Sequence, residues 1–292
     1  MENFNPLLLK QIHIPEAGSH KGQNGKLLLI GGSHLFHSAS LWALKVSSRI
    51  VDMVFYASIL ENNEIVAKAK EEFHDGIVIP RDKIDDYAKE ADCILIGPGM
   101  VRDEEFKIQA EKQNISSLTH INALKYEGEQ TYYLTKYLLE HYPEKKFVID
   151  AGALQMLDLR WLKQQHRVLL TPHKREFASL FSLESSKTNI QFCSSKYECL
   201  ILVKGLADIV CSADKCTEIS GGNAGMTKGG TGDVLAGLIA ALACNNELEL
   251  AAIVGSYINK KAGENLFKDV SYYFNASDLV NEIPRTMKQL LK

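Results

Sequence analysis

The sequence predicts an α/β protein of three layers, a mostly parallel sheet flanked by helices on both faces. Two observations carry this. Short apolar runs alternate with longer amphipathic ones, the pattern of strands joined by crossover helices. Several of the short runs are near-continuously apolar, as strands covered on both faces must be. Strands are expected at Lys26–Ile30, Met53–Ala57, Gly76–Ile79, Cys93–Ile96, Phe147–Asp150, Val168–Leu170 and Leu200–Val203. Helices are expected between them at Ser40–Ile50, Asn63–Glu72, Lys83–Ala91 and Glu176–Ser182. After Lys204 the pattern changes to Asp208–Ser212 and Cys216–Ile219 around Ala213-Asp-Lys, an antiparallel hairpin. Two long helices follow, Asp233–Cys244 and Leu248–Leu266, then a tail helix from about Ser277 that Pro284 should interrupt. No Pro/Gly/Ser-rich linker, internal repeat or low-complexity tract divides the chain, so residues 1–292 read as one domain. The least regular stretch is Gln113–Gln130, polar and mixed, expected as a solvent-facing insertion, with a lid or a subunit contact as the functional alternative.

Bulk properties exclude several functions. Hydrophobic content of 46% against 24% charged residues is ordinary for a globular protein, and a net charge of −3 offers no nucleic-acid surface. The longest apolar runs, such as Val234–Cys244, fall well short of the roughly 18 residues of a membrane span. The opening Met1-Glu-Asn-Phe-Asn-Pro lacks the basic-then-apolar order of a signal peptide, so a cytoplasmic enzyme is expected. The six cysteines include no C-x-x-C pair and read as buried reduced thiols. Cys211 and Cys216 face each other across the hairpin, but a reducing compartment argues against their bonding.

One segment concentrates the chemistry: Asn223-Ala-Gly-Met-Thr-Lys-Gly-Gly-Thr-Gly-Asp-Val-Leu-Ala-Gly237. Gly229, Gly230 and Gly232 tolerate backbone angles that let successive N–H groups point into one concavity. A helix starting near Thr231 adds its free N–H groups and positive dipole end, a combination suited to phosphate. Asp233 beside such an anion site suggests a base that takes a proton from an attacking hydroxyl. The bland alternative is a helix entry turn capped by Thr231 or Asp233. The loop lacks Gly-Lys-Ser/Thr, so it is not a Walker loop, and Leu235 stands where a dinucleotide fingerprint needs its third glycine. Further glycine-bearing turns follow the expected strands at Gly31-Gly-Ser33, Gly97-Pro-Gly99, Gly152, Thr171-Pro-His173 and Lys204-Gly205. In open α/β sheets ligands bind outside the carboxyl strand ends, so a long ligand lying across this edge is expected.

The loop resembles the anion-hole motif of the ribokinase-like superfamily. In the form Gly-Gly-Thr-Gly-Asp-Val-Leu-Ala-Gly it is most similar to the ADP/ATP-dependent NAD(P)H-hydrate dehydratases. His20-Lys-Gly-x-x-Gly25, Ile96-Gly-Pro-Gly99, Ile149-Asp-Ala-Gly-Ala-Leu154, Leu170-Thr-Pro-His-x-x-Glu-Phe177 and Val203-Lys-Gly205 match in the family's order, across nearly the whole chain. The resemblance implies a ribokinase-like fold and an enzyme that regenerates NAD(P)H from its hydrates, NADHX and NADPHX, by phosphorylating the C6 hydroxyl from ADP or ATP. It implies Asp233 as catalytic base and Gly229, Gly230, Thr231 and Gly232 as the anion hole. Ala39, Gly99, His173 and Asp233 would contact the hydrate, and Lys204, Gly205, Leu206, Ala207, Asp208 and Gly232 the nucleotide. Glu176 sits where ribokinase-like kinases place an acid that holds Mg²⁺ through water.

The chain departs from the family pattern in places. Asp208 stands where Thr is common, Ser38 replaces the glycine before Ala39, and Lys45-Val-Ser-Ser-Arg-Ile-Val51 replaces an Ala/Gly-rich continuation. Arg102 follows Gly97-Pro-Gly99 where a dinucleotide fingerprint would have glycine, and the link from Gly99 to Asp150 is longer than is usual in the family. The resemblance further implies a homo-oligomer, a tetramer in relatives, and an epimerase acting as a separate protein, since no epimerase domain is expected in this chain. A small-molecule kinase of the same superfamily, such as one acting on a thiamin-precursor alcohol, is the alternative, because loop and aspartate serve both chemistries. A nucleotide-binding module without catalysis is disfavoured by the intact Asp233.

Overall fold

The computed structural model describes residues 2–109, 115–162 and 167–291. Ten strands form one sheet: β1 (Glu2–Asn3), β2 (Lys26–Ile30), β3 (Met53–Ala57), β4 (Ile77–Val78), β5 (Cys93–Ile96), β6 (Lys146–Ile149), β7 (Val168–Leu170), β8 (Leu200–Val203), β9 (Asp208–Cys211) and β10 (Cys216–Ile219). Their order is β1-β10-β9-β8-β7-β6-β5-β2-β3-β4. From β4 to β8 every pairing is parallel, and only β9 is antiparallel to its neighbours. The helices are α1 (His37–Ser47), α2 (Leu60–Ala69), α3 (Ile84–Glu90), α4 (Glu104–Gln109), α5 (Leu118–Asn122), α6 (Glu127–His141), α7 (Ala151–Met156), α8 (Lys174–Phe181), α9 (Lys187–Tyr197), α10 (Thr231–Asn245), α11 (Leu248–Val270) and α12 (Ala276–Leu290).

Alternation along each strand splits the core in two, as a sheet buried on both faces requires. Leu27, Leu29, Val54, Leu95, Val148 and Leu202 face α1, α10, α11 and α12. Their neighbours Leu28, Ile30, Phe55, Ile94, Ile96 and Ile149 face α3, α5, α6, α7, α8 and α9. This is the three-layer ribokinase-like arrangement that the sequence predicts.

Three expectations are corrected. Helix α12 runs unbroken through Pro284. Proline leaves the carbonyl four residues back without its N–H, and Arg49 Nη1 takes that role by donating to the Val280 carbonyl at 3.1 Å. Cys211 and Cys216 are disulfide-bonded across the β9–β10 hairpin, since cross-strand pairing brings their Cα atoms to 4.1 Å; the other four cysteines are free and buried. The stretch Gln113–Gln130 is not a solvent-facing insertion where it is described, from residue 115 on. Leu118 and Ile121 of α5 are buried in the core, and Glu127 opens α6. Residues 113 and 114 lie outside the described residues.

Candidate active site

At the carboxyl edge of the sheet, Asp150, Thr171, Lys204 and Asp233 converge. Asp150 ends β6 and is buried; its Oδ1 accepts from Lys204 Nζ at 2.8 Å and from Thr171 Oγ1 at 2.8 Å. The chain then reverses sharply, with Ala151 in the left-handed region at φ 44°, a strain of roughly 1–3 kcal/mol of the kind kept at functional sites. Burial opposes the charge on Lys204, but Asp150, Glu176 and Asp233 outweigh it and hold the ammonium more firmly protonated than a free lysine. Asp233, in the first turn of α10, is pushed up to about 7, chiefly by burial and then by the negative charge of Asp150, with Lys204 opposing. It is therefore a stronger base than its helix N-terminus alone would make it.

The loop before α10 is held by its own polar groups. Asn223 Oδ1 accepts from Gly225 N at 2.9 Å, and Thr231 Oγ1 donates to the carbonyls of Met226 at 2.6 Å and Lys228 at 2.9 Å. Lys228 Nζ donates to the carbonyls of Tyr272 and Phe274. Thr231 is thus turned inward and does not cap the helix. The N-cap is Gly230, at φ 95°, with no side-chain cap. The opening N–H groups of α10 are left without a side-chain partner, as an anion site requires. Gly230 is also needed for packing, because a Cβ there would lie 2.3 Å from the Trp42 ring. Gly229 faces open space, and a Cβ on Gly232 would lie 3.6 Å from Lys204 Nζ.

On the other side of the edge, Gly99 (φ 72°) and Ala39 come together: a Cβ on Gly99 would stand 3.1 Å from that of Ala39 and 2.6 Å from the Phe36 carbonyl. The replaced stretch of the first helix is absorbed by packing. Ser47 Oγ donates to the carbonyls of Ala43 at 2.7 Å and Gly237 at 3.0 Å, while Arg49 reaches α12. His173 is the N-cap of α8. Its Nδ1 accepts from the N–H groups of Arg175 and Glu176 at 3.1 Å each, and Glu176 Oε2 accepts from His173 N at 2.9 Å. Glu176 Oε1 accepts from Gln155 Nε2 at 2.8 Å. The imidazole nonetheless remains half exposed and forms part of the cleft wall.

A cleft of about 620 Å³ opens between these groups, lined among others by His173, Lys204, Gly205, Leu206, Asn223 and Gly232. Ala207 stands outside its lining. Asp208 lines it but spends its carboxylate as a brace: Oδ1 accepts from Gly205 N at 2.9 Å and lies 3.2 Å from Lys260 Nζ, and Oδ2 accepts from Ser256 Oγ at 2.7 Å. Lys260 also donates to the carbonyls of Gly205 and Leu206, both at 3.1 Å. Sequence reasoning assigned no task to Asp150, Trp42 or Lys260. The legible signal was a charged Lys260 among the apolar residues of α11, since a lysine is rarely buried without a partner.

The sequence model of the NAD(P)H-hydrate dehydratases matches residues 27–285. A bifunctional NAD(P)H-hydrate repair enzyme of Methanocaldococcus jannaschii is 33% identical over 292 residues, covering 96% of this chain and 51% of that protein. The chain spans about half the length of such relatives. An ADP-dependent (S)-NAD(P)H-hydrate dehydratase of Nitrosopumilus maritimus is 28% identical, covering 97% of this chain and 95% of its own length. The ADP/ATP-dependent NAD(P)H-hydrate dehydratase of Bacillus subtilis, crystallised with ATP/Mg²⁺, superposes with a TM-score of 0.74 at 20% identity, covering 99% of this chain and 98% of that one; it shows the shared fold. With motifs in the family's order along one sheet edge and a match over most of its length, the chain belongs to the NAD(P)H-hydrate dehydratase family.

Proposed function

We propose that the chain regenerates NADH or NADPH from the C6 hydrate of the dihydronicotinamide ring, using ADP or ATP as phosphoryl donor. The observation that carries this is Asp233, poised near pH 7 at the mouth of an uncapped helix and beside the Lys204–Asp150 pair. Hydroxide is a poor leaving group and phosphate a good one. The C6 hydroxyl oxygen attacks the terminal phosphorus and gives its proton to Asp233, while the donor leaves as AMP or ADP. The ring nitrogen's lone pair then expels phosphate from C6, and loss of a proton from C5 restores the double bond. N–H groups of Gly229–Gly232 stabilise the transferring phosphoryl group, and Lys204 supplies positive charge at the same place. Ala39, Gly99 and the outer face of His173 would hold the hydrate; Lys204, Gly205, Leu206 and Gly232 would hold the nucleotide.

Magnesium fits only as an ion brought in on the nucleotide. Among the described residues no cluster of three His, Cys, Asp or Glu side chains is arranged to hold a metal by itself. Glu176, whose hydrogen-bond donors are the neutral Gln155 amide and the His173 N–H, is free to face such an ion through water. The ion would neutralise charge on the phosphates. The resemblance also carries a cytoplasmic homo-oligomer working alongside an epimerase; among the described residues no helix is long and apolar enough to cross a membrane. The test is incubation with hydrated NADH plus ADP or ATP while following absorbance. Regenerated NADH with stoichiometric phosphate release is expected, and no regeneration with either donor would overturn the reading.

A further inference from the structure

A second cleft, of about 500 Å³, opens at the ends of β3 and β4, lined by Asn63, Arg81, Asn122, Lys125, Glu127 and Gln130 together with six others. It is large enough for a small ligand. Three of the four buried side-chain polar atoms without a partner among the described residues belong to its lining: Asn63 Oδ1, Arg81 Nε and Asn122 Oδ1. Each such atom costs roughly 1–3 kcal/mol, and three in one cleft are unlike a scatter of packing faults. Asn63 is oriented by its other end, since Nδ2 donates to the Ile79 carbonyl at 3.1 Å and so turns the oxygen away from it. Arg81 donates Nη1 to the neutral Gln130 Oε1 at 2.5 Å. Burial pulls its guanidinium down to about 10, and Glu127 opposes this only in part. Glu127 itself is bound to His34 Nδ1 at 2.6 Å.

The two clefts are neighbours. The first turn of α6 separates them, with Glu127 on the second cleft and Gly128 so close to the loop after Gly99 that a Cβ would lie 2.4 Å from that of Asp103. Strands stand about 4.8 Å apart, so the ends of β3 and β4 lie roughly 10 and 14 Å from that of β5. Two nucleotides joined through a pyrophosphate can bridge that span. The ligand must offer an acceptor to Arg81 and N–H donors to the two asparagine oxygens, which the amino group and ring nitrogens of adenine provide. Arg81 and Lys125 are balanced by Glu61, Asp82 and Glu127, so the cleft suits an uncharged base better than an additional phosphate.

We infer that this second cleft, walled in part by the 118–130 segment, receives the adenosine end of the hydrated dinucleotide whose nicotinamide end lies at Asp233. The inference rests on the proposed function. Hydrated NADH and the hydrate of reduced nicotinamide mononucleotide, which lacks the adenosine end, separate the two. Wild-type enzyme should use the dinucleotide hydrate with the higher kcat/KM. Arg81→Leu and, as a variant that leaves the buried arginine in place, Asn122→Ala should each lower kcat/KM for the dinucleotide about tenfold. Both should leave the mononucleotide within about twofold, erasing the preference. Equal effects on both substrates, or none on either in a folded variant, would overturn the inference. Turnover of neither hydrate by the wild type would instead overturn the proposed function. Calorimetric titration of NADH and reduced mononucleotide with ADP saturating then decides the cleft: weaker NADH binding alone in Asn122→Ala supports it, and unchanged binding rejects it.

Discussion

The two halves of the carboxyl edge are built in different ways. In the half formed by β6, β7 and β8, charges are paired and backbone groups are held in place before any ligand arrives: Lys204 sits on Asp150, and Thr231 ties its loop to Met226 and Lys228. In the half formed by β3 and β4, Arg81 rests on a neutral amide and buried oxygens lack partners. Preorganised charge is what transition-state stabilisation demands. Positioning the remote part of a substrate demands only complementary contacts, which are completed on binding. The difference therefore assigns reaction to one half and recognition to the other.

The largest effect that can break this division is at Asp233. Asp233→Asn should lower turnover by about 10²–10⁴-fold, the usual worth of a general base, while ADP affinity, measured by calorimetry, changes little. Wild-type turnover should rise with pH through about 7 as the carboxyl ionises. The same group is protonated more readily in the folded than in the unfolded protein, so its ionisation destabilises the fold as pH rises from about 4 to 7. Asp233→Asn should accordingly melt higher than wild type at pH 8, by an amount equivalent to at most about 4 kcal/mol, and equally at pH 3.5 if the protein is still folded there.

A next step is Lys204→Met, which strands the buried Asp150 carboxylate and should cost roughly 3–5 kcal/mol of stability by denaturant titration. It should also move the alkaline-rising limb of the pH–rate profile upward, because Lys204 holds the Asp233 value down. An unshifted profile in a folded variant would deny the electrostatic link. Smaller still is the contrast between two adjacent glycines. Gly230→Ala must displace Trp42 and should lower the melting temperature; Gly229→Ala meets open space and should leave stability within about 0.5 kcal/mol. The smallest effect is at His173. Loss of its cap from α8 should cost about 1 kcal/mol, and a rise in KM for the hydrate beyond that for ADP would show that its exposed face also touches substrate.

The same division governs what could be read from the chain. The reacting half is encoded in contiguous runs such as Gly229–Asp233 and Val203–Gly205, where spacing alone implies geometry, and its strands are apolar enough to announce themselves. The roles of Asp150 and Lys260 were hidden because their partners, Lys204 and Asp208, are distant in sequence. Helix α6 escaped notice because Gly128, Gln130, Thr131 and Thr135 lie on its buried face, so the apolar stripe is interrupted. The lining of the second cleft comes from four separate segments and carries no local pattern at all. Pro284 misled in the opposite sense, since a long-range guanidinium supplied what the local rule says is missing.

That guanidinium has a mechanical meaning. Arg49 and Trp42 both project from the first helix onto the last, Arg49 to the Val280 carbonyl and Asn281 and Trp42 Nε1 to Ser277 Oγ at 2.9 Å. Trp42 also lies against Gly230, and Lys228 is fastened just ahead of the last helix at Tyr272 and Phe274. The C-terminal segment thus works as a splint for the phosphate loop. Trimming this protein back to its sheet and catalytic motifs would keep every reacting group and still loosen the one loop that must not move.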